Sequence, residues 1–210
     1  MRGIISKLLL LFFWIGPIAT QAQELIFERA FKDGELPISS INALIQDREG
    51  YIWISTTDGL CRYDGVEVKT YRFNPQDSTT ISNNMIHCLR EGPDGRIWIG
   101  TAYGLNYYSP QEERIIRYND NGGVEDKSII SIEIDQNGYI WYGTYNGLFR
   151  LDPELTERLH FLPEEEQSGS IAGKTIWSIF EDNKGDLWFG TSNGASRLKN
   201  DDQFRFQNTH

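Results

Sequence analysis

Four tryptophans, Trp53, Trp98, Trp141 and Trp188, stand 45, 43 and 47 residues apart, and each sits in a variation of one phrase. The four stretches read DREGYIWISTTDGLCRYD, GPDGRIWIGTAYGLNYYS, DQNGYIWYGTYNGLFRLD and DNKGDLWFGTSNGASRLK. A glycine lies three residues before each Trp (Gly50, Gly95, Gly138, Gly185), and a threonine three after it (Thr56, Thr101, Thr144, Thr191). A second glycine follows at six (Gly59, Gly104, Gly147, Gly194), and an isoleucine precedes by twelve (Ile41, Ile86, Ile129, Ile176). A tandem period of this size means one supersecondary unit used four times, each unit burying its faces against its neighbours.

Each unit reads as four short strands. The first is apolar on both faces (INALIQ, MIHCLRE, IISIEI, TIWSIFE), as in a strand covered on two sides. A D-x-x-G turn follows, with Asp47, Asp135 and Asp182; in the second unit Gly92-Pro93-Asp94-Gly95 takes its place with the Asp displaced. The Trp-bearing strand comes next, then a third strand (LCRY, LNYY, LFRL, ASRL) and a more polar fourth (VEVKTY, RIIRY, TERLHF, QFRF). Ala43, Cys88, Ser131 and Ser178 share one offset, small side chains where inner strands converge. The fold expected is all-β, a β-propeller with repeats at 39–73, 84–119, 127–161 and 174–208 within residues 23–210.

Residues 1–22 have the layout of a secretory signal peptide. Arg2 and Lys7 precede an apolar run from Leu8 to Ile15, and small residues lead to a cleavage point after Ala22. The run is shorter than the roughly 20 residues of a membrane span, an uncleaved anchor being the alternative, and no second apolar span follows. A periplasmic location with no span in the mature chain is expected. The formal charge of -10 argues against nucleic acid as a partner. Two cysteines, Cys61 and Cys88, permit a bridge but make no disulfide framework; two small buried thiols are the other reading.

The motif D-x-x-G-x-[IL]-W-[IFY]-[SG]-T-x-x-G-L-x-R resembles the two-component regulator propeller repeat, over residues 24–208. Its departures are Ser55 for Gly, the Gly92 turn, Tyr107 for Arg and Ala195 for Leu. The resemblance implies the N-terminal periplasmic sensor part of a Bacteroidetes-type hybrid two-component system. Such sensors carry many more repeats, then a membrane span, histidine kinase, receiver and DNA-binding region. The sequence here holds no kinase phosphoacceptor or nucleotide-binding glycine motif; His87, the nearest candidate, sits in a buried-strand pattern. The expectation is therefore an incomplete part of a larger propeller. Residues 24–31, ELIFERAF, have the character of an outer strand of another blade, and an open array would expose faces and edges that invite association. A four-bladed ring is the alternative.

No cofactor or metal is expected: His87, His160, His210 and the two cysteines lack ligand spacing. Hydrolase and phosphate-loop motifs are absent as well, so the chain is not expected to be an enzyme, a propeller lyase being the least favoured reading. Binding is better founded. The turns between second and third strands vary between their fixed Thr and Gly, presenting Thr57-Asp58, Ala102-Tyr103, Tyr145-Asn146 and Ser192-Asn193 on one face of a propeller. Asn42, His87, Ile130 and Trp177 share the position after the recurrent Ile. The candidate ligand residues are Asp58, Tyr103, Tyr145, Asn146, Asn193 and Trp177, with solvated turns, and core packing for Trp177, as the plain alternatives. Tyr and Trp faces with Asp and Asn hydrogen bonds suit an oligosaccharide, the ligand class the resemblance also implies. The alternative function is a self-standing scaffold for protein–protein contact, such as a homodimer or the remaining propeller blades. The repeated Trp side chains are read as blade-packing residues and not sugar platforms.

Overall fold

The computed structural model describes residues 40–118, 128–164, 169–200 and 204–209, together with 28, 30, 31, 34 and 36. The signal peptide expected at 1–22 lies outside the described residues, as does the strand expected at 24–31 apart from Glu28, Ala30 and Phe31. Phe31–His210 form one unit. It is all-β among the described residues, with sixteen strands in four antiparallel sheets.

The first sheet holds β1 (Ile41–Gln46), β2 (Ile52–Thr56), β3 (Gly59–Tyr63) and β4 (Val68–Tyr71). The second holds β5 (Ile86–Glu91), β6 (Ile97–Thr101), β7 (Gly104–Ser109) and β8 (Arg114–Arg117). The third holds β9 (Ile129–Ile134), β10 (Ile140–Thr144), β11 (Gly147–Leu151) and β12 (Arg158–Phe161). The fourth holds β13 (Ile176–Glu181), β14 (Leu187–Thr191), β15 (Gly194–Leu198) and β16 (Phe206–Thr209). Strand order in every sheet is the order of the chain. Inner strands β1, β5, β9 and β13 pack one on the next.

The core is divided into three layers, one at each junction between sheets. Trp53 and Leu60 meet Ile86, Leu89, Ile97 and Tyr108 of the second sheet. Trp98 and Leu105 meet Ile129, Ile132, Ile140 and Phe149 of the third. Trp141 and Leu148 meet Ile176, Ile179, Leu187 and Phe206 of the fourth. Each Trp thus belongs to the junction with the following sheet, and burial of its large apolar surface holds that junction.

The D-x-x-G aspartates do more than turn the chain. Asp47 Oδ1 accepts the backbone N–H of Tyr51 at 2.9 Å while Oδ2 accepts the Trp53 indole N–H at 2.7 Å. Asp135 and Asp182 repeat this, each accepting its own Trp indole at 2.9 Å. The Tyr107 departure is also accounted for. Arg62 and Arg150 stack on Tyr51 and Tyr139, at 4.4 and 4.2 Å to the ring centroids. In the second sheet the partners change places: Arg96 lies 4.9 Å from the centroid of Tyr107.

The expectation of first strands covered on both faces holds for β5 and β9 and fails for β1 and β13. Leu44 on β1 is 58% exposed, and Phe180 on β13 is 59% exposed. The physical reason is neighbourhood: β1 has no preceding sheet and β13 no following one among the described residues, and these two strands show no packing comparable to that of neighbours. The array is open. Cys61 and Cys88 are both free thiols; burial pushes the Cys88 thiol up to about 12, and its Sγ sits 3.9 Å from the Ile129 carbonyl.

Candidate ligand face

The turns between second and third strands are built by the recurrent Thr and Gly. Thr56 Oγ1 donates to the Gly59 carbonyl at 2.7 Å and accepts the Asp58 N–H at 3.0 Å. Thr101, Thr144 and Thr191 make the same two bonds, with Gly104 and Tyr103, Gly147 and Asn146, and Gly194 and Asn193. The glycine must adopt positive φ (+121° at Gly59 and Gly147), a region closed to most side chains. Closing the loop on itself in this way frees the two residues between Thr and Gly to point outward.

Connections between sheets run beside these turns. Gly59 N–H donates to the Asn84 carbonyl at 2.8 Å, Ala102 N–H to Met85 at 3.0 Å and Ser192 N–H to Thr175 at 2.9 Å. Turn and connection therefore share one face of the array. The residues sharing the offset after the recurrent Ile prove to be bulges. The register between first and second strands slips between Ile41 and Ala43, Ile86 and Cys88, and Ile176 and Ser178, leaving Asn42, His87 and Trp177 as extra residues. Ile130 has the same place in the third sheet. A bulge re-aims the side chain it carries. Asn42 uses this to donate to the Ile86 carbonyl of the next sheet at 2.6 Å. At His87 partial burial disfavours the charged ring and lowers its pKa.

Of the six candidate residues, two meet. The rings of Tyr145 and Trp177 stand edge to face at 5.8 Å and 85°, spanning the third and fourth sheets. They are 48% and 55% exposed, so Trp177 is not a core residue. Thr175 Oγ1 donates to the Tyr145 carbonyl at 3.4 Å and ties the two loops. Asn146, beside Tyr145, offers its carbonyl to His160 Nε2 at 2.9 Å. Asn193 Nδ2 donates to the Ala172 carbonyl at 3.2 Å, bracing the connection. Asp58 is paired with Arg72, Oδ2 to Nη2 at 3.1 Å, and Tyr103 stands exposed on the turn of the second sheet.

Sequence reasoning did not single out Arg72, and weighed His160 only as a metal ligand. Each comes from the fourth-strand side of its sheet, fourteen positions beyond its turn partner. His160 also stacks on Phe149, rings 4.0 Å apart and nearly parallel. The opposite face, with the D-x-x-G turns, holds a concavity of about 550 Å³ between the first two sheets, lined by Tyr51, Arg62, Lys69, Glu91 and Tyr108. A smaller one of about 270 Å³ lies between the last two, beside Tyr139, Arg150 and Phe204.

Sheets in chain order, a Trp at each junction and a bulged inner strand define a segment of a β-propeller that presents variable loops on one face. The chain matches the family described as two component regulator propeller at residues 35–58, 80–103, 123–146 and 170–193. These four segments are similar to the repeat of that family. It is 38% identical over 80 residues to Histidine kinase P4 of Formosa agariphila, a match covering 38% of this chain and 6% of that protein. Among solved structures it is similar to the extracellular domain described as part of a hybrid two component system of B. thetaiotaomicron. That likeness has 29% identity and a TM-score of 0.68, and covers 78% of this chain and 22% of the other. It shares its fold with virginiamycin B lyase from Staphylococcus aureus, at 17% identity and TM-score 0.60, over 83% and 57% of the two chains. The chain thus spans a small part of the signalling proteins it resembles.

Proposed function

We propose that this chain is a periplasmic, ligand-sensing propeller segment of a hybrid two-component system, and that its loop face takes an oligosaccharide. The observation that carries the reading is the Tyr145–Trp177 pair, two half-exposed rings set at right angles on the face that the variable turns share. Exposed aromatic planes stack on the apolar faces of sugar rings, and neighbouring amides and carbonyls fix their hydroxyls. Asn146 and Asn193 place such groups on the flanking turns. No catalytic step is assigned to this chain; in such a system phosphoryl chemistry belongs to the kinase part, and the propeller's contribution is recognition.

Calorimetric titration of the folded chain against a panel of oligosaccharides tests this. Saturable binding to one class is expected, with affinity reduced roughly tenfold or more by Trp177→Ala. A folded sample that binds no member of the panel would end the sugar-sensing reading. The second reading, an interaction scaffold, is favoured by the apolar faces left bare on the first and fourth sheets.

A further inference from the structure

Each Trp hairpin carries one arginine, Arg62, Arg96, Arg150 or Arg197, and three of the four have a carboxylate. Arg96 pairs with Asp94 at 3.2 Å, Arg197 pairs with Asp186, and Arg150 Nη2 lies 3.9 Å from Glu157. Arg62 has none within ion-pair distance among the described residues. Its cross-strand partner is a second cation, Lys69, directly opposite on β4 and also without an ion pair among the described residues. Like charges in that register repel, and an anion beside them reverses the sign of the interaction.

Both cations line the concavity of about 550 Å³ between the first and second sheets. Three carboxylates of that lining are engaged: Asp47 holds the Trp53 indole, Glu91 pairs with Arg48 and Asp94 with Arg96. The other two, Glu49 and Glu113, are exposed and reach neither cation within ion-pair distance.

The junction of the third and fourth sheets shows what completes such an arginine. Arg150 is flanked by two rings, Tyr139 at 4.2 Å and Phe204 at 4.6 Å to the centroids. Arg62 has the first of these, Tyr51 at 4.4 Å. Tyr108 meets it through the hydroxyl, which accepts from Nη1 at 3.0 Å, with the ring centroid 5.6 Å away. The second ring has no counterpart among the described residues. Ile115 pairs with Tyr108 as Phe206 pairs with Leu198, each ten residues after a Trp, so Glu113 stands in the place of Phe204.

We propose that this concavity is a second binding site, on the face opposite the variable turns, for a small aromatic monocarboxylate. Its ring lies on Arg62 as Phe204 lies on Arg150, and its carboxylate accepts from Lys69 Nζ. Guanidinium groups stack on aromatic planes, and a charge-assisted bond to the ammonium fixes the other end. Cross-strand partners stand about 5 Å apart at Cβ, so one small molecule reaches both side chains. Glu49 and Glu113 repel a second negative charge, which selects a monoanion over a dianion such as phosphate. A sugar acid offers Lys69 the same carboxylate but has no flat ring for Arg62. The site shares no residue with the Tyr145–Trp177 pair, so the two binding readings stand or fall separately.

Calorimetric titration of the folded chain at low ionic strength, with benzoate, benzamide, glucuronate and inorganic phosphate as probes, tests this. Benzoate is expected to saturate one site, and the other three to bind roughly tenfold more weakly or worse. Lys69→Gln lies at an exposed position and is expected to bring benzoate down to the level of benzamide. Arg62→Gln is expected to weaken both probes, since it removes the surface under the ring, while Trp177→Ala leaves benzoate binding unchanged. Cooperative thermal unfolding checks that each variant folds; if Arg62→Gln does not, the Lys69→Gln comparison decides alone. No saturable benzoate binding, equal affinity for benzamide, tighter binding of glucuronate or phosphate, or wild-type benzoate affinity in Lys69→Gln would each overturn the proposal. Loss of benzoate binding in Trp177→Ala would place the acid on the loop face and overturn it as well.

Discussion

One residue type in this chain carries two jobs, and only one of them can be read from spacing. Asp47, Asp135 and Asp182 occupy a turn position, which accounts for them fully on sequence grounds. Their second oxygen, however, holds the indole of a Trp six residues later, a link across the hairpin that turn chemistry does not foretell. The Trp residues show the converse. Trp141 and Trp188 sit in near-identical phrases, yet the first is buried and the second is not, because exposure is decided by the adjacent sheet. Trp141→Ala is therefore expected to cost about 3–5 kcal/mol in chemical denaturation, in the usual range for emptying a core aromatic site. Trp188→Ala should cost under about 2 kcal/mol, since much of its surface already faces water. Equal losses at the two sites would contradict the junction model of the core.

At the level of the element, the inner strand and its bulge settle how sheets approach. The four-strand pattern, the buried β5 and β9 and the recurrent turns were legible, because a run that is apolar on both faces and Thr–Gly spacing are local properties. The partners of the loop residues were not, since Arg72, just past β4, and His160, on β12, reach Asp58 and Asn146 from further along the chain. Glycine substitutions test the approach directly. Gly143→Ala drives a methyl into the Ile176 backbone and is expected to destabilise by about 1–3 kcal/mol through overpacking. Gly190→Ala meets only the Ser178 side chain, which can rotate away, and should change the melting temperature much less. Similar shifts for the two, by calorimetry, would mean that the close approach at Gly143 does not hold the third and fourth sheets together.

Across the molecule, several carboxylates are held below their ordinary range. Asp64 and Asp152 are lowered first by the backbone N–H groups of Glu67 and Glu157, Asp182 by the Trp188 indole and Asp186 by Arg197. A depressed folded-state pKa stabilises above the unfolded value and is lost as pH falls through the folded one. Stability should accordingly be level near neutrality and fall on acidification from about pH 5 to about pH 3. Thermal melts followed by circular dichroism across that range check this, and an unchanged midpoint would contradict it. Repetition made the architecture readable from the chain, and it also concealed the ends. Four copies of one phrase look alike wherever they stand, so the bare faces of the first and fourth sheets emerge only once the sheets are placed side by side.

The exchanged Arg96 and Tyr107 bear on how such an array can be inherited. In the first and third sheets the aromatic member comes before the Trp and the arginine after it, and in the second sheet this order is reversed. Recombination between the second copy and either neighbour with its breakpoint inside that hairpin would join Tyr to Tyr or Arg to Arg, placing like with like across two strands. The second copy can therefore be traded with a neighbour without breaking this pair only when the crossover falls outside the stretch from Arg96 to Tyr107.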